Sequence, residues 1–242
     1  MSSQSFENYA RLASDQHVEN TELSGRYAFQ GNDEKRIVPD VSAKLDIRED
    51  DTLLEIGSGP GNLLIPLSHI VRLAAAIDSA PVLDRMLSRR DGKSRIETYP
   101  GNFLSIELPP LRFSKVLIYS VFHYLDSHEM ALSFLERALS LLQPGGRLLV
   151  GDLPNSDKKA RFLQTDLGEK MSAEWAELVS GTEAHPLSTL ATDEQLITVD
   201  DAFVMRLMVF GRERGLETYL LPQQPNLPFC YSREDILFVA PE

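Results

Sequence analysis

The chain has 242 residues, 43% of them hydrophobic, and sets 24 Lys and Arg against 36 Asp and Glu for a formal charge of −12. That is enough apolar material for one packed α/β domain, whereas the acidic balance and the lack of a long basic run count against a nucleic-acid partner, whose phosphates dominate binding. Cys230 is the only cysteine, which excludes an internal disulfide framework and a cysteine-rich zinc site; residues 1–20 are polar and no apolar run approaches a membrane span of about 20 residues, so the reading is a soluble, cytoplasmic protein with no membrane span.

Residues 1–40 form an N-terminal arm ahead of the first strand. Thr52–Ile56 is a short apolar run that reads as a buried strand, and Gly57, Gly59 and Gly61 then turn it into a helix over 63–71, where Pro66 is tolerable because it falls in the opening turn. Leu73–Asp78 is the second strand, 80–90 a helix, 96–99 the third strand and 115–120 the fourth. Apolar residues at Leu132, Leu135, Leu139 and Leu142 give helical spacing over 130–142. Gln143-Pro144-Gly145-Gly146 stops that helix and leads into a strand at 147–152. A helical insert over 153–197 carries Arg161, Phe162, Lys170, Trp175 and His185 on two short helices. A helix at 200–214 and strands at 216–221 and 235–240 close the chain. The linker between those strands is too short for a crossover helix, so they pair antiparallel. The order of elements predicts a parallel sheet with helices on both faces.

The loop after the first strand carries the chemistry. Glycine permits positive φ and removes the Cβ that would hold a flat ligand off the main chain. The spacing is G-x-G-x-G, not the G-x-G-x-x-G of dinucleotide sites, and Glu55 before it would repel a phosphate but help to hold an ammonium. Residues 55–62 resemble motif I of the class I S-adenosylmethionine-dependent methyltransferases. The resemblance covers about residues 45–155 by motif and the remainder by strand order. It implies a Rossmann-like, doubly wound sheet of seven strands, mostly parallel with the last strand antiparallel. It also implies S-adenosylmethionine as cofactor.

Carried onto this chain, the resemblance places Glu55, Gly57, Ser58, Gly59 and Gly61 around the methionine part and Asp78, with Ser79, at the ribose. Asn102, where the family more often has Asp, and Phe103 are placed at the adenine, and Ser120 at the methionine end. An acid at the end of the second strand also suits a ribose on chemical grounds, because a carboxylate accepts from both hydroxyls; capping of the following helix is the structural alternative. The family's usual aspartate before the fourth strand is replaced by Ser114-Lys115. Tyr27 and Gln30 in the arm are placed to fold over the cofactor, and the arm and insert to cover the acceptor. His123 is the candidate general base, being the one imidazole near the end of the fourth strand; packing between Phe122 and Tyr124 is its other reading. No His/Asp cluster has metal-ligand spacing, so no metal is expected. The reading is a methyltransferase acting on an N or O atom of a small-molecule acceptor by in-line displacement. An NAD-type oxidoreductase and a non-catalytic S-adenosylmethionine-binding protein stand as alternatives.

Overall fold

The computed structural model describes residues 3–92, 94–182, 184–186 and 196–242. In chain order the arm contributes α1 (Ser3–Ser14), α2 (Asn20–Leu23), α3 (Gly31–Glu34) and α4 (Ile37–Leu45). Then follow β1 (Thr52–Ile56), α5 (Leu64–Leu67), β2 (Leu73–Asp78), α6 (Ala80–Arg89), β3 (Ile96–Pro100), β4 (Phe113–Tyr119), α7 (His128–Leu139) and β5 (Leu142–Pro154). The insert holds α8 (Ser156–Leu163) and α9 (Asp166–Ser180), and α10 (Asp201–Arg212), β6 (Glu217–Pro222) and β7 (Arg233–Val239) complete the chain.

The strands line up as β3-β2-β1-β4-β5-β7-β6, with β7 antiparallel to both neighbours and every other pairing parallel. Side chains alternate across a strand, and the apolar runs therefore feed two cores. Leu54, Ile56, Val116, Ile118, Leu148 and Val150 face α7 and α10 through Phe134, Leu135, Val204 and Leu207. Leu53, Leu117 and Leu149 face the opposite layer, where Val41, Leu45, Leu64, Leu67 and Met86 pack. Sheet order reverses direction between β1 and β4, which opens a crevice at the carboxyl ends of those strands.

Three boundaries depart from the sequence reading. The helix expected over 63–71 is the single turn of α5, followed by hydrogen-bonded turns in which Ile70 N and Val71 N both donate to the Leu67 carbonyl. The helix expected over 130–142 is α7, beginning earlier at an N-cap where Ser127 Oγ accepts from Met130 N, and ending at Leu139. The Pro144-Gly145-Gly146 turn lies inside β5 as an irregularity, since Phe113 pairs with Leu142 and Lys115 with Arg147. Ser114 also has a structural account. Its Oγ donates to Asp51 Oδ1 at 2.7 Å and its N–H to Thr52 Oγ1 at 3.0 Å, tying β4 to β1 at the end remote from the crevice.

The arm lies on the body through polar clamps. Arg85 of α6 donates to Asn20 Oδ1 and to the Asp15 carbonyl, each at 2.9 Å, and to the Val18 carbonyl. Asn62, at the end of the glycine loop, offers its amide to Ser24 Oγ at 2.9 Å and Glu34 Oε1 at 3.0 Å. The segment that roofs the crevice is thereby anchored to the loop that floors it. Part of the expected insert, residues 187–195, lies outside the described residues.

Candidate active site

Gly57, Gly59 and Gly61 all have positive φ, of 76°, 52° and 81°, but only one faces empty space. A Cβ on Gly57 would stand 2.5 Å from Val121 Cγ2, and one on Gly61 2.5 Å from Met86 Cγ, whereas nothing lies within 4 Å of a Cβ on Gly59. The outer two glycines let the loop pack against β4's exit and α6. The middle one leaves bare backbone toward the crevice.

Asp78 closes β2 beside this loop. Its Oδ2 accepts from Gly59 N at 2.9 Å and its Oδ1 from Ser79 N at 2.7 Å, so both oxygens are aimed with lone pairs to spare. Burial raises its pKa from 3.8 to about 6, against the two backbone donors that lower it. Glu55 is 2% exposed and its Oε2 has no hydrogen-bond partner. Burial first, and then the neighbouring Asp78, push its pKa well above the ordinary carboxylate range. An unpartnered buried carboxyl at a ligand loop is a site that a cationic group would satisfy.

Two cavities meet at these residues, both bordered by Gly57, Asp78 and Val121. The larger continues past Glu55, Ser58 and Gly59 to Ser120, Tyr124 and Arg26. The smaller is walled by Ile77, Gly101, Asn102, Phe103, Phe134 and Phe6 of α1. Asn102 Oδ1 accepts from Leu104 N at 3.1 Å, and the Phe103 ring meets that of Phe134 edge-on. Ser58 and Ser79 are buried with unpartnered hydroxyl oxygens. Ser79 caps α6 by position without a side-chain cap bond, and it borders neither cavity, nor does Gly61.

The arm closes the larger cavity with residues other than those singled out in the sequence. Tyr27 stacks on Phe29 and meets Trp175 and His185 edge-on, at centroid distances of 5.3, 5.5 and 5.3 Å. Gln30 is buried and its Oε1 accepts from Tyr27 N at 3.0 Å. Neither borders the two cavities. Tyr9 and Arg26 do. Tyr9 Oη donates to Tyr124 Oη at 2.7 Å, joining α1 to the exit of β4. Arg26, 5% exposed, donates from Nη2 to Ser120 Oγ at 3.1 Å and Asp152 Oδ2 at 3.3 Å. Its Nε has no partner.

Ser120 and Asp152, at the carboxyl ends of β4 and β5, are both left-handed, with φ of 58° and 60°. A non-glycine residue is rarely held there unless its surroundings determine it. Ser120 Oγ donates to Asp152 Oδ2 at 2.5 Å, and Asp152 N donates to Asp235 Oδ1 at 2.9 Å. Lys44 Nζ in turn reaches Asp235 at 2.7 Å and Asp40 at 2.6 Å. Burial would raise the Asp152 carboxyl, but Arg233, Arg26 and the Ser120 hydroxyl outweigh it and hold the pKa below 3.8. An acid ending an apolar strand is the signal that picked out Asp78, and it marks Asp152 equally. Arg26 sits among aromatics in the arm and carried no such mark.

His123 lies on the turn Phe122–Tyr124, tilted against the Tyr124 ring at 4.2 Å. Its Nδ1 is buried without a partner, and burial, reinforced by Arg233, lowers its pKa to about 3. It borders neither cavity. A base with that pKa is neutral at pH 7 but poorly matched to take a proton from a hydroxyl.

Residues 54–150 match the family described as a methyltransferase domain. The chain is 34% identical over 106 residues, 42% of its length, to a probable non-canonical nonribosomal peptide synthetase, CymA, of Salinispora arenicola, and spans 1% of that protein. It is 35% identical over 72 residues, 30% of its length, to a probable ribosomal RNA small subunit methyltransferase A of Methanothermobacter thermautotrophicus, spanning 26% of it. The chain thus spans a minor part of the curated relatives it matches. Its fold superposes on the N-methyltransferase NodS of Bradyrhizobium japonicum bound to S-adenosylhomocysteine, with a TM-score of 0.62, 14% identity and 99% of this chain and 100% of that one covered.

Proposed function

We propose that the chain, which carries a class I S-adenosylmethionine-dependent methyltransferase domain, moves the methyl group of that cofactor to an N or O atom of a small-molecule acceptor. The observation that carries this is the pair of cavities meeting at Gly57 and Asp78 under the arm. The smaller suits an adenine, with Phe6 and Phe103 on its walls and Asn102 at its polar edge. Asp78 accepts from the ribose hydroxyls with the lone pairs that Gly59 and Ser79 leave free. In the larger cavity Glu55 takes the methionine ammonium. The sulfonium then lies toward Ser120 and Tyr124, at the strand ends where an acceptor enters.

S-adenosylmethionine supplies an electrophilic methyl on a good leaving group. The chain's own residues bind, align and exclude water. Alignment of reactants is worth roughly 7–11 kcal/mol when the geometry is right, so an acceptor that arrives as a neutral amine needs no strong base. His123 is in this reading a neutral packing residue behind Tyr124 and not the general base.

A small acceptor is favoured over a nucleic acid because α1 and the Tyr9–Tyr124 bond close the crevice, and the net charge of −12 repels phosphates. Calorimetric titration with S-adenosylhomocysteine tests the cofactor assignment, and a folded protein that fails to bind it removes the proposal. Transfer of labelled methyl to ribosomal RNA, and not to small amines or phenols, would replace the acceptor class.

A further inference from the structure

Beside the Ser120 end of the larger cavity lies a cluster of buried side-chain nitrogens, four of them without a hydrogen-bond partner. Arg233, the first residue of β7, has a side chain 17% exposed, and its Nε and Nη1 are buried without a hydrogen-bond partner. Its guanidinium lies over the Phe229 ring at 5.3 Å, and its Nε stands 3.5 Å from Asp152 Oδ1. Arg26 approaches the other oxygen of that carboxylate at 3.3 Å and keeps its own Nε unpartnered. His123 Nδ1 is buried and unpartnered in the same neighbourhood. A buried donor left unpaired is costly, more so when it carries charge, and such groups mark places where a ligand completes the bonding.

Charge and shape narrow the ligand. Two guanidiniums face one carboxylate, Asp152, with Glu34 leaning on Arg26 at 3.7 Å. The cluster is therefore balanced in charge, and a monoanion joining the unpartnered Arg233 nitrogens adds less negative charge to it than a dianionic phosphate would. Ser120 borders the larger cavity and donates to Asp152 Oδ2, so Asp152 joins Arg233, which borders neither cavity, to the wall of the larger one. Rings frame it: Phe229 lies under the guanidinium, and Trp175 meets Phe229 edge-on at 5.3 Å.

We propose that the acceptor is a carboxylic acid whose carboxylate is held by Arg233, with Arg26 contributing from the far side of Asp152. This rests on the methyltransferase reading above and adds the substrate class. It is at odds with a polycationic acceptor, for which the global charge alone would argue.

Trp175 is the only tryptophan, and its contact with Phe229 makes its fluorescence a local reporter. The test titrates benzoate, benzamide and phenyl phosphate into the full chain, with and without S-adenosylhomocysteine. The expected result is saturable quenching or enhancement by benzoate at concentrations at least tenfold below those needed for benzamide. That preference is lost in Arg233→Gln and kept in Arg233→Lys, with the affinity for S-adenosylhomocysteine within threefold of the parent in both. Equal responses to benzoate and benzamide, a preference that survives Arg233→Gln, or stronger binding of phenyl phosphate would each overturn the carboxylate assignment. Failure of the methyl-donor reading shows separately, as no binding of S-adenosylhomocysteine to the folded parent protein in a calorimetric titration.

Discussion

At the scale of single residues, the glycine loop separates folding from binding. Gly59→Ala places a methyl group into the open crevice at a φ of 52° without touching protein. Gly57→Ala drives its methyl to 2.5 Å from Val121. The first variant should retain most of its thermal stability and bind S-adenosylhomocysteine at least tenfold more weakly. The second should lose about 1–3 kcal/mol of stability, the range for an overpacked site; calorimetry and thermal melts on the same samples separate the two. Asp78→Ala removes the proposed acceptor of the ribose hydroxyls and should weaken binding by about 1.5–3 kcal/mol, the range for a hydrogen bond to a charged group. An unaltered affinity in that variant would remove Asp78 from the cofactor site.

At the scale of elements, the arm is held by few contacts of high leverage. Arg85 alone gives three bonds, two to the stretch between α1 and α2 and one to Asn20 at the start of α2, and Tyr9 of α1 is a wall of the larger cavity. Arg85→Ala should therefore raise amide exchange over residues 3–23 and weaken S-adenosylhomocysteine by about 1.5 kcal/mol, roughly tenfold, while leaving exchange in β1, β4 and β5 unchanged. This is also where sequence reading stopped. The strands were legible because Leu53, Leu54, Ala75 and Val116 belong to short apolar runs separated by turn chemistry, and that pattern is local. The arm's contribution was not, since the Tyr9–Tyr124 and Arg26–Asp152 contacts join positions 115 and 126 residues apart and depend on side-chain direction. Tyr27 and Gln30 drew attention as an aromatic and an amide in the right segment. The chain instead uses the neighbouring Arg26 against the cavity, and turns Tyr27 outward to Phe29 and Trp175.

At the scale of the whole molecule, the two buried acids of the crevice, Glu55 and Asp78, carry an electrostatic cost that a cofactor bound as proposed would relieve. Asp78 has a pKa of about 6 in the folded protein against an ordinary 3.8, and Glu55 is raised as well. Between about pH 4 and 6 the folded chain therefore holds protons that the unfolded chain has released, so this contribution to stability falls as pH rises, and the penalty is complete above pH 6. For Asp78 it amounts to about 3 kcal/mol, at 1.36 kcal/mol per pKa unit. Asp152 works in the opposite sense, since its lowered pKa favours the folded state once the pH exceeds the unfolded value and that favour is lost on acidification. Ribose hydroxyls and an ammonium both prefer ionised carboxyls, so S-adenosylhomocysteine bound beside these acids as proposed would expel the protons that their raised pKa values retain at acid pH. Its affinity should rise from pH 5 to pH 7.5, with proton release detectable as a dependence of the calorimetric enthalpy on the buffer's ionisation heat. Mass action then makes the ligand-induced increase in Tm larger at pH 7.5 than at pH 5 at the same ligand concentration. In Asp78→Asn, which has no proton to lose at that position, the difference between the two pH values should shrink. An increase in Tm that is the same at both pH values in the parent protein would show that the two buried acids do not face the cofactor.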